Sequence, residues 1–506
     1  MTQKPPRSAP PRADAMLESL RGLGYSTATA LADIIDNSVS AGAENVDVWL
    51  AWKDKASSVT ILDDGRGMTD PELESAMRLG DKSPLDARDA NDLGRFGMGL
   101  KTSSFSQCRR LTVASRKDGQ TSCLRWDLEK LSEKPMEWLM YEGPEPGSEE
   151  LIKPLDARAR GTLVLWEDLD RIVTAGYKPD DFGDLIDDIE AHLSMVFHRL
   201  IDGPRPRFRL TLNGRVVRPW DPFMTDHPSK TWSAHPARQT TSVGLIEVEG
   251  HVLPHKDMLS VQEFESAGGP NGWTAQQGFY IYRNQRLLVA GGWLGLGQGR
   301  AWNREESHRL ARIRLDIPNT ADAEWKIDIR KSTARPPVAL RPWLTSFAED
   351  TRGRARKVFA FRGMPTTGLG RMPVEQAWRV EQNKTGTRYK IDEKHPVVAA
   401  ALDASSEHAP LVKAMLRVIE ETVPVQRIWL DTAENRDTPR TGFSGEPPEA
   451  VVQVLQTLFK DMVGRKGMSA EDARKSLLAT EPFHNYPSLV AALGRAAPDR
   501  LKNEIK

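Results

Sequence analysis

The sequence predicts an α+β chain: a mixed sheet covered by helices on one face, then a second α+β domain, then a mainly helical remainder. Three observations carry the prediction. From Ala13 to about Leu200, short alternating segments intervene between segments of helical spacing. Most of those strands are short and keep a polar side, which fits a half-covered mixed sheet better than a parallel sheet buried on both faces. Beyond Ile201 the pattern turns to hairpins, and beyond Pro336 it turns charged and helical.

Residues 1–12, "MTQKPPRSAPPR", are proline-rich and charged and read as a disordered tail without the apolar core of a secretion signal. Residues 13–200 form the first domain. There "ADAMLESLRGLG" is a short helix ended by glycine, and "TATALADIIDNSVSAGA" is a longer one closing near Gly42. "VDVWLAW", "SVTILDD", "RLTVASR", "SCLRWDL" and "GTLVLWEDL" are strands, and "LESAMRLGDKS" is a helix running into a polar loop. Residues 201–336 form the second domain. It opens on "FRLTLNGRVV", a hairpin with Asn-Gly at its turn, and continues with "GFYIYRNQRLLVAGGW", "LARIRLDI" and "WKIDIRKS". Residues 337–373 read as a helical linker and residues 374–506 as a mainly helical C-terminal region with no assignable chemistry.

The chain has 506 residues, 70 basic and 70 acidic, so its formal charge is zero and bulk electrostatics give no case for nucleic acid or an anionic membrane. Cys108 and Cys123 are its only cysteines, which excludes a disulfide framework and fits a reducing cytoplasm. No apolar run reaches the length of about 18 residues that a membrane span needs.

Three motifs carry chemistry. On "ALADIIDNSVS", Asp33, Asp36 and Asn37 are spaced to share one helical face, with Leu31, Ile34, Ile35 and Ser38 roughly opposite. Such a face is either solvated or offers a carboxylate to activate water and an amide oxygen for a hard cation such as Mg2+. In "TILDDGRGMTD" a strand runs into Asp63, Asp64, Gly65, Arg66 and Gly67. This is either a plain Asp-Gly turn or a buried carboxylate accepting from an exocyclic amine, beside glycines that let a flat ring approach the backbone. In "DLGRFGMGLKTSSFSQC", Gly94, Gly97 and Gly99 precede Lys101 and a run of hydroxyl residues. A helix starting there presents free N–H groups to an anion, and the lysine adds a point charge. The string is not a Walker loop, since no G-x-x-x-x-G-K-[ST] occurs.

Acid-x-x-x-Asn, then Asp-x-Gly-x-Gly, then Gly-x-x-Gly-x-Gly-x-Lys, in that order, resembles the Bergerat-fold (GHKL) ATPases, and "ALADIIDNSVSAGA" and "LGRFGMGLKTSS" look most like the MutL and MORC branches. "GTLVLWEDL" adds Gly161-Thr162 where that family places a threonine near the adenine-binding aspartate. The resemblance covers residues 13 to about 170. It implies that Asn37 coordinates Mg2+ together with the phosphates of ATP. Asp63 would bond the adenine amine, helped by Gly65, Gly67, Met68 and, through water, Thr162. Gly94, Arg95, Phe96, Gly97, Met98, Gly99, Leu100 and Lys101 would wrap the phosphates as a lid, with "GDKSP" beside them. Asp33 stands where the family has a glutamate base. It is one methylene shorter, and a misplacement on the order of 1 Å costs about a hundredfold in rate, so slow hydrolysis is expected. Asp36 is the neighbouring candidate.

Residues 201–336 resemble the ribosomal-protein-like transducer domain of MutL and MORC, which sends a lysine to the γ-phosphate. In an alternating strand Lys331 shares the face of Ile327 and Ile329, so it is preferred over Lys326 as the inward lysine. The resemblance further implies an ATP-dependent homodimer acting as a clamp, with DNA or a DNA-processing protein as partner, in DNA transactions or defence against foreign DNA. A nucleotide-sensing scaffold without turnover is the alternative. A histidine kinase would need a phosphoacceptor histidine upstream, and none precedes His192. His192 and His198 read as structural.

Overall fold

Strand alternation builds the first sheet. β1 (Asn45–Ala51) buries Val46, Val48 and Leu50 on one side and pairs antiparallel with β2 (Ser58–Asp63). β3 (Arg110–Lys117), β4 (Gln120–Asp127), β5 (Tyr141–Glu142), β6 (Gly161–Glu167), β7 (Arg209–Leu212) and β8 (Arg215–Val216) complete it. The order is β5-β4-β3-β6-β2-β1-β7-β8, with β7 parallel to β1 and the other pairs antiparallel. This computed structural model describes residues 11–81, 99–134, 136–229, 232–242, 244–321, 324–328, 331, 333–361, 375–383, 386–404, 408–428 and 447–494. The chain divides into two compact units, Met1–Gly363 and Met364–Lys506.

Helices α1 (Ala13–Arg21), α2 (Thr27–Ser40), α3 (Asp70–Met77), α4 (Gly99–Phe105), α5 (Leu128–Glu133), α6 (Glu149–Ile152) and α7 (Pro179–Val196) belong to this layer. The main core includes Leu31 and Ile35 of α2, Leu193 of α7, and Val48, Ile61, Val113 and Trp166 of the sheet. A smaller core of Leu62, Ala114, Leu163 and Leu165 is covered by Leu151, Ile152 and Leu155. The sheet is thus covered on both faces, where the sequence predicted one. The second cover is two successive short turns, Glu149–Ile152 and Lys153–Ala157, and leaves no helical period to read.

The Asn-Gly hairpin forms as predicted, with Asn213 and Gly214 both left-handed (φ 47° and 78°). It joins the first sheet rather than the next domain, because Leu210 and Leu212 complete the first core and β7 pairs with β1.

The second sheet comprises β9 (Trp232–Ser233), β10 (Ala237–Thr241), β11 (Gly244–Val252), β12 (Gly278–Arg283), β13 (Arg286–Ala290) and β14 (Ala311–Asp316). Its order is β10-β11-β14-β12-β13, with β9 on β11. Met195 of α7 packs with Phe223, Tyr280, Tyr282 and Leu287, joining the two layers within one unit. The expected strand "WKIDIRKS" is not one among the described residues. Lys326 and Lys331 both take positive φ (49° and 53°), so the segment turns instead of extending.

The C-terminal unit packs helices Glu449–Gly464, Ala470–Leu478 and Pro487–Ala492 around Leu455, Phe459, Leu477 and Val490. It also holds a hairpin, Trp378–Asn383 with Gly386–Ile391, which the helical reading did not anticipate. Among the described residues no helix is long and apolar enough to cross a membrane.

Candidate active site

The end of β2 is a carboxylate ringed by short donors. Asp63 Oδ1 accepts the Gly65 N–H at 2.9 Å and the Thr162 N–H at 3.1 Å, and Oδ2 accepts the Ser38 hydroxyl at 2.7 Å. A carboxylate has about four acceptor positions, so one remains on Oδ2. Burial raises the Asp63 carboxyl above its ordinary value, against the pull of these three bonds. Its neighbour Asp64 closes the turn by accepting from the Glu44 and Asn45 N–H groups and the Asn45 amide. Position, not residue type, separates the two aspartates.

Two glycines hold this corner together. Gly67 sits at φ 68°, and a Cβ there would fall 2.0 Å from the Arg116 carbonyl oxygen. Gly161 sits at φ 146°, where a Cβ would fall 2.1 Å from the Asp63 carbonyl oxygen. The backbones are therefore in contact where only glycine fits. Met68 donates its N–H to Ser115 Oγ at 2.8 Å, and that hydroxyl also meets Thr162 Oγ1 at 2.9 Å. Thr162 thus acts on Asp63 directly through its backbone.

Helix α2 supplies the other end. Ser26 caps it by accepting the Thr29 N–H at 3.2 Å. Asp33 and Asp36 are buried, while Asn37 is exposed, so the three do not form one solvated face. Asp33 Oδ2 accepts the Tyr25 hydroxyl at 3.0 Å, and Oδ1 accepts the Lys331 ammonium at 2.9 Å. The same ammonium also bonds Asp36 Oδ2, and Arg286 Nε donates to Asp36 Oδ1 at 3.1 Å. Burial pushes the Asp36 carboxyl up, but Arg286 and Lys331 outweigh it and hold the group below its ordinary value. Lys326 is exposed.

The glycine segment is only partly within the described residues. Gly94, Arg95, Phe96, Gly97 and Met98, and the "KSP" of "GDKSP", lie outside them. Gly99 begins α4, Leu100 packs against the main core, and Lys101 is buried with its ammonium donating to the Ala76 carbonyl at 2.8 Å. The expected phosphate lysine here fixes α4 to α3.

Sequence reasoning missed four residues. Ser38, set with the apolar side of its helix, reaches Asp63. It was readable as a small polar residue on an otherwise apolar stripe. Ser115 interrupts the apolar run of β3. Tyr25 and Arg286 carry no local signal.

The residues fit the implied ligands. Asp63 keeps an open acceptor for an amine in a buried corner, and Asn37 offers an exposed amide oxygen on the adjoining helix. Among the described residues no cluster of His, Cys, Asp and Glu could hold a metal by itself.

Residues 25–162 match the family described as histidine kinase-, DNA gyrase B-, and HSP90-like ATPase. The DNA mismatch repair protein MutL of Rickettsia akari is 33% identical over 93 residues, covering 18% of this chain and 15% of that protein. Human ATPase MORC2 is 28% identical over 98 residues, 19% of this chain and 9% of the relative. ATPase morc-1 of Caenorhabditis elegans is 29% identical over 96 residues, 19% and 11%. The chain spans about a seventh or less of the length of these relatives. Residues 25–162, which hold Asp33, Asn37, Asp63 and Thr162, thus match the model of this ATPase family, and a stretch of the chain is similar to part of MutL and of MORC2.

Proposed function

We propose that this protein binds ATP with Mg2+, hydrolyses it slowly, and uses nucleotide-gated homodimerisation as a conformational clamp on DNA or a DNA-processing partner in the cytoplasm. Asp63 accepts the adenine amine on its remaining lone pair. Asn37 lends its amide oxygen to Mg2+, which supplies charge neutralisation at the phosphates when bound. Asp33 takes a proton from water as the water oxygen bonds to the terminal phosphorus. The bond from that phosphorus to the bridging oxygen breaks, and ADP and inorganic phosphate leave. Lys331 reports the terminal phosphate, moving between the carboxylates and the anion.

The observation that carries the reading is the ammonium of Lys331, 2.9 Å from Asp33 across 298 residues of sequence. It gives the second layer a charged contact with the base. Binding energy drives a change of shape only through a difference in affinity between the two shapes. The same ion pair favours a second reading, a nucleotide sensor whose Asp33 stays engaged and never turns over. Phosphate release by wild type and Asp33→Ala separates them, alongside light scattering with a non-hydrolysable ATP analogue. The clamp requires release that depends on Asp33 and a mass that doubles with nucleotide. Equal background release with retained binding supports the sensor, and an unchanged mass overturns the clamp.

A further inference from the structure

Four charged side chains meet at α2 nearly out of water. Asp33, Asp36, Arg286 and Lys331 have side-chain exposures of 4%, 1%, 4% and 9%. The charges balance two against two, but the cations are held differently. Arg286 is fixed at the start of β13. Its Nε donates to Asp36, its Nη1 donates to the Leu287 carbonyl at 2.5 Å, and the Phe197 ring lies 5.7 Å from the guanidinium. Lys331 is outside any strand and divides one flexible ammonium between two carboxylates.

Removing each cation in turn has unequal consequences. Without the Lys331 ammonium, Asp36 keeps Arg286 at 3.1 Å, and Asp33 keeps the Tyr25 hydroxyl at 3.0 Å and Arg286 Nη2 at 4.0 Å. Without Arg286, Asp36 has Lys331 as its remaining counter-charge. A buried carboxylate left uncompensated is costly, so the lysine is then pinned where it stands.

We propose that Arg286 is a positioning residue for hydrolysis. As the permanent counter-charge of Asp36, it keeps Lys331 exchangeable between the aspartate pair and an anionic phosphate, so that Asp33 is released when nucleotide is in place. The inference rests on the ATPase reading above and assigns Asp36 a fixed electrostatic role, which leaves Asp33 as the base.

The test is a cycle of Arg286→Met, Arg286→Lys and the double variant Asp36→Asn/Arg286→Met. It reads ATP turnover, affinity for a non-hydrolysable ATP analogue by calorimetry, and fold by circular dichroism. Arg286→Met is expected to keep analogue affinity within about threefold and to lose about 10- to 100-fold in turnover, the span of strong pair couplings. Removing the Asp36 charge in the same chain frees Lys331 and restores most of that turnover. Arg286→Lys, with the charge but without the fork, falls between. Unchanged turnover in Arg286→Met overturns the proposal, as does a double variant no faster than the single one, or a loss confined to affinity. If Arg286→Met does not fold, the double variant must outpace Arg286→Lys, and a slower double variant overturns the role. Wild type that binds no ATP overturns the functional reading and this role with it. Wild-type turnover with indifferent Arg286 variants overturns this role alone.

Discussion

Around Asp63 the direct partners in the described site are neutral donors from the first sheet and its helix, namely Ser38, Gly65 and Thr162. Around Asp33 and Asp36 two of the partners are cations from 250 to 298 residues away, Arg286 and Lys331. The first arrangement is rigid, because short side chains and glycine-only backbone contacts leave few alternatives. The second is adjustable, because a lysine shared between two carboxylates can be given up to a third anion. Under the proposed function, recognition of adenine and response to the phosphate would be separable, and variants at the two ends should fail differently.

The largest effect should come from the rigid end. Asp63→Ala removes the acceptor and orphans three donors, so ATP-analogue affinity should fall by about 100-fold, equivalent to about 3 kcal/mol, in calorimetry. An affinity within a few-fold of wild type would erase the contrast. Lys331→Met should instead lower turnover by about 30-fold while analogue affinity changes by less than about threefold, the mark of an interaction made in the reaction rather than in binding. An equal loss in both would make the two ends alike.

Acid should act on the rigid end next. Asp63 accepts an amine best when ionised, and its pKa is raised by burial. Lowering the pH therefore protonates it before an ordinary carboxyl near about 4 is protonated, and analogue affinity should drop by up to about tenfold per pH unit below that raised value. Affinity independent of pH down to about 4 would remove Asp63 from the amine. The smallest effect is Ser115→Ala. It removes one neutral hydroxyl behind Met68 and Thr162, so affinity should weaken by about fivefold, near 1 kcal/mol, with turnover per bound nucleotide unchanged.

The same contrast explains what was legible in the sequence. Asp63, Gly65, Gly67 and Thr162 are tied by short-range geometry, a strand end, an Asp-Gly turn and an adjacent strand, so their motifs announce them. Asn37 is readable by its offset from Asp33, although burial of Asp33 and Asp36 is not, since that depends on cations elsewhere in the chain. Lys331 meets Asp33 and Asp36, but through a left-handed turn and not through the strand face that singled it out. Arg286 follows an unremarkable Asn-Gln turn, and nothing near it hints at an acidic partner on α2. Lys101 sits in the right motif, yet its ammonium bonds the Ala76 carbonyl. Sequence patterns report neighbours along the chain, and charge pairs across 250 residues leave no pattern.

The return of residues 209–216 to lie beside β1 has a practical bearing on how this fold can be cut. The recognisable motifs end at Thr162, but a fragment stopped near residue 200 would strip β1 of its parallel neighbour and leave an unpaired hydrophobic margin, an invitation to self-association. A fragment carried through Val217 would seal that margin. It would still lack Arg286 and Lys331, and so would leave Asp33 and Asp36 without the two counter-charges that meet them in the whole chain.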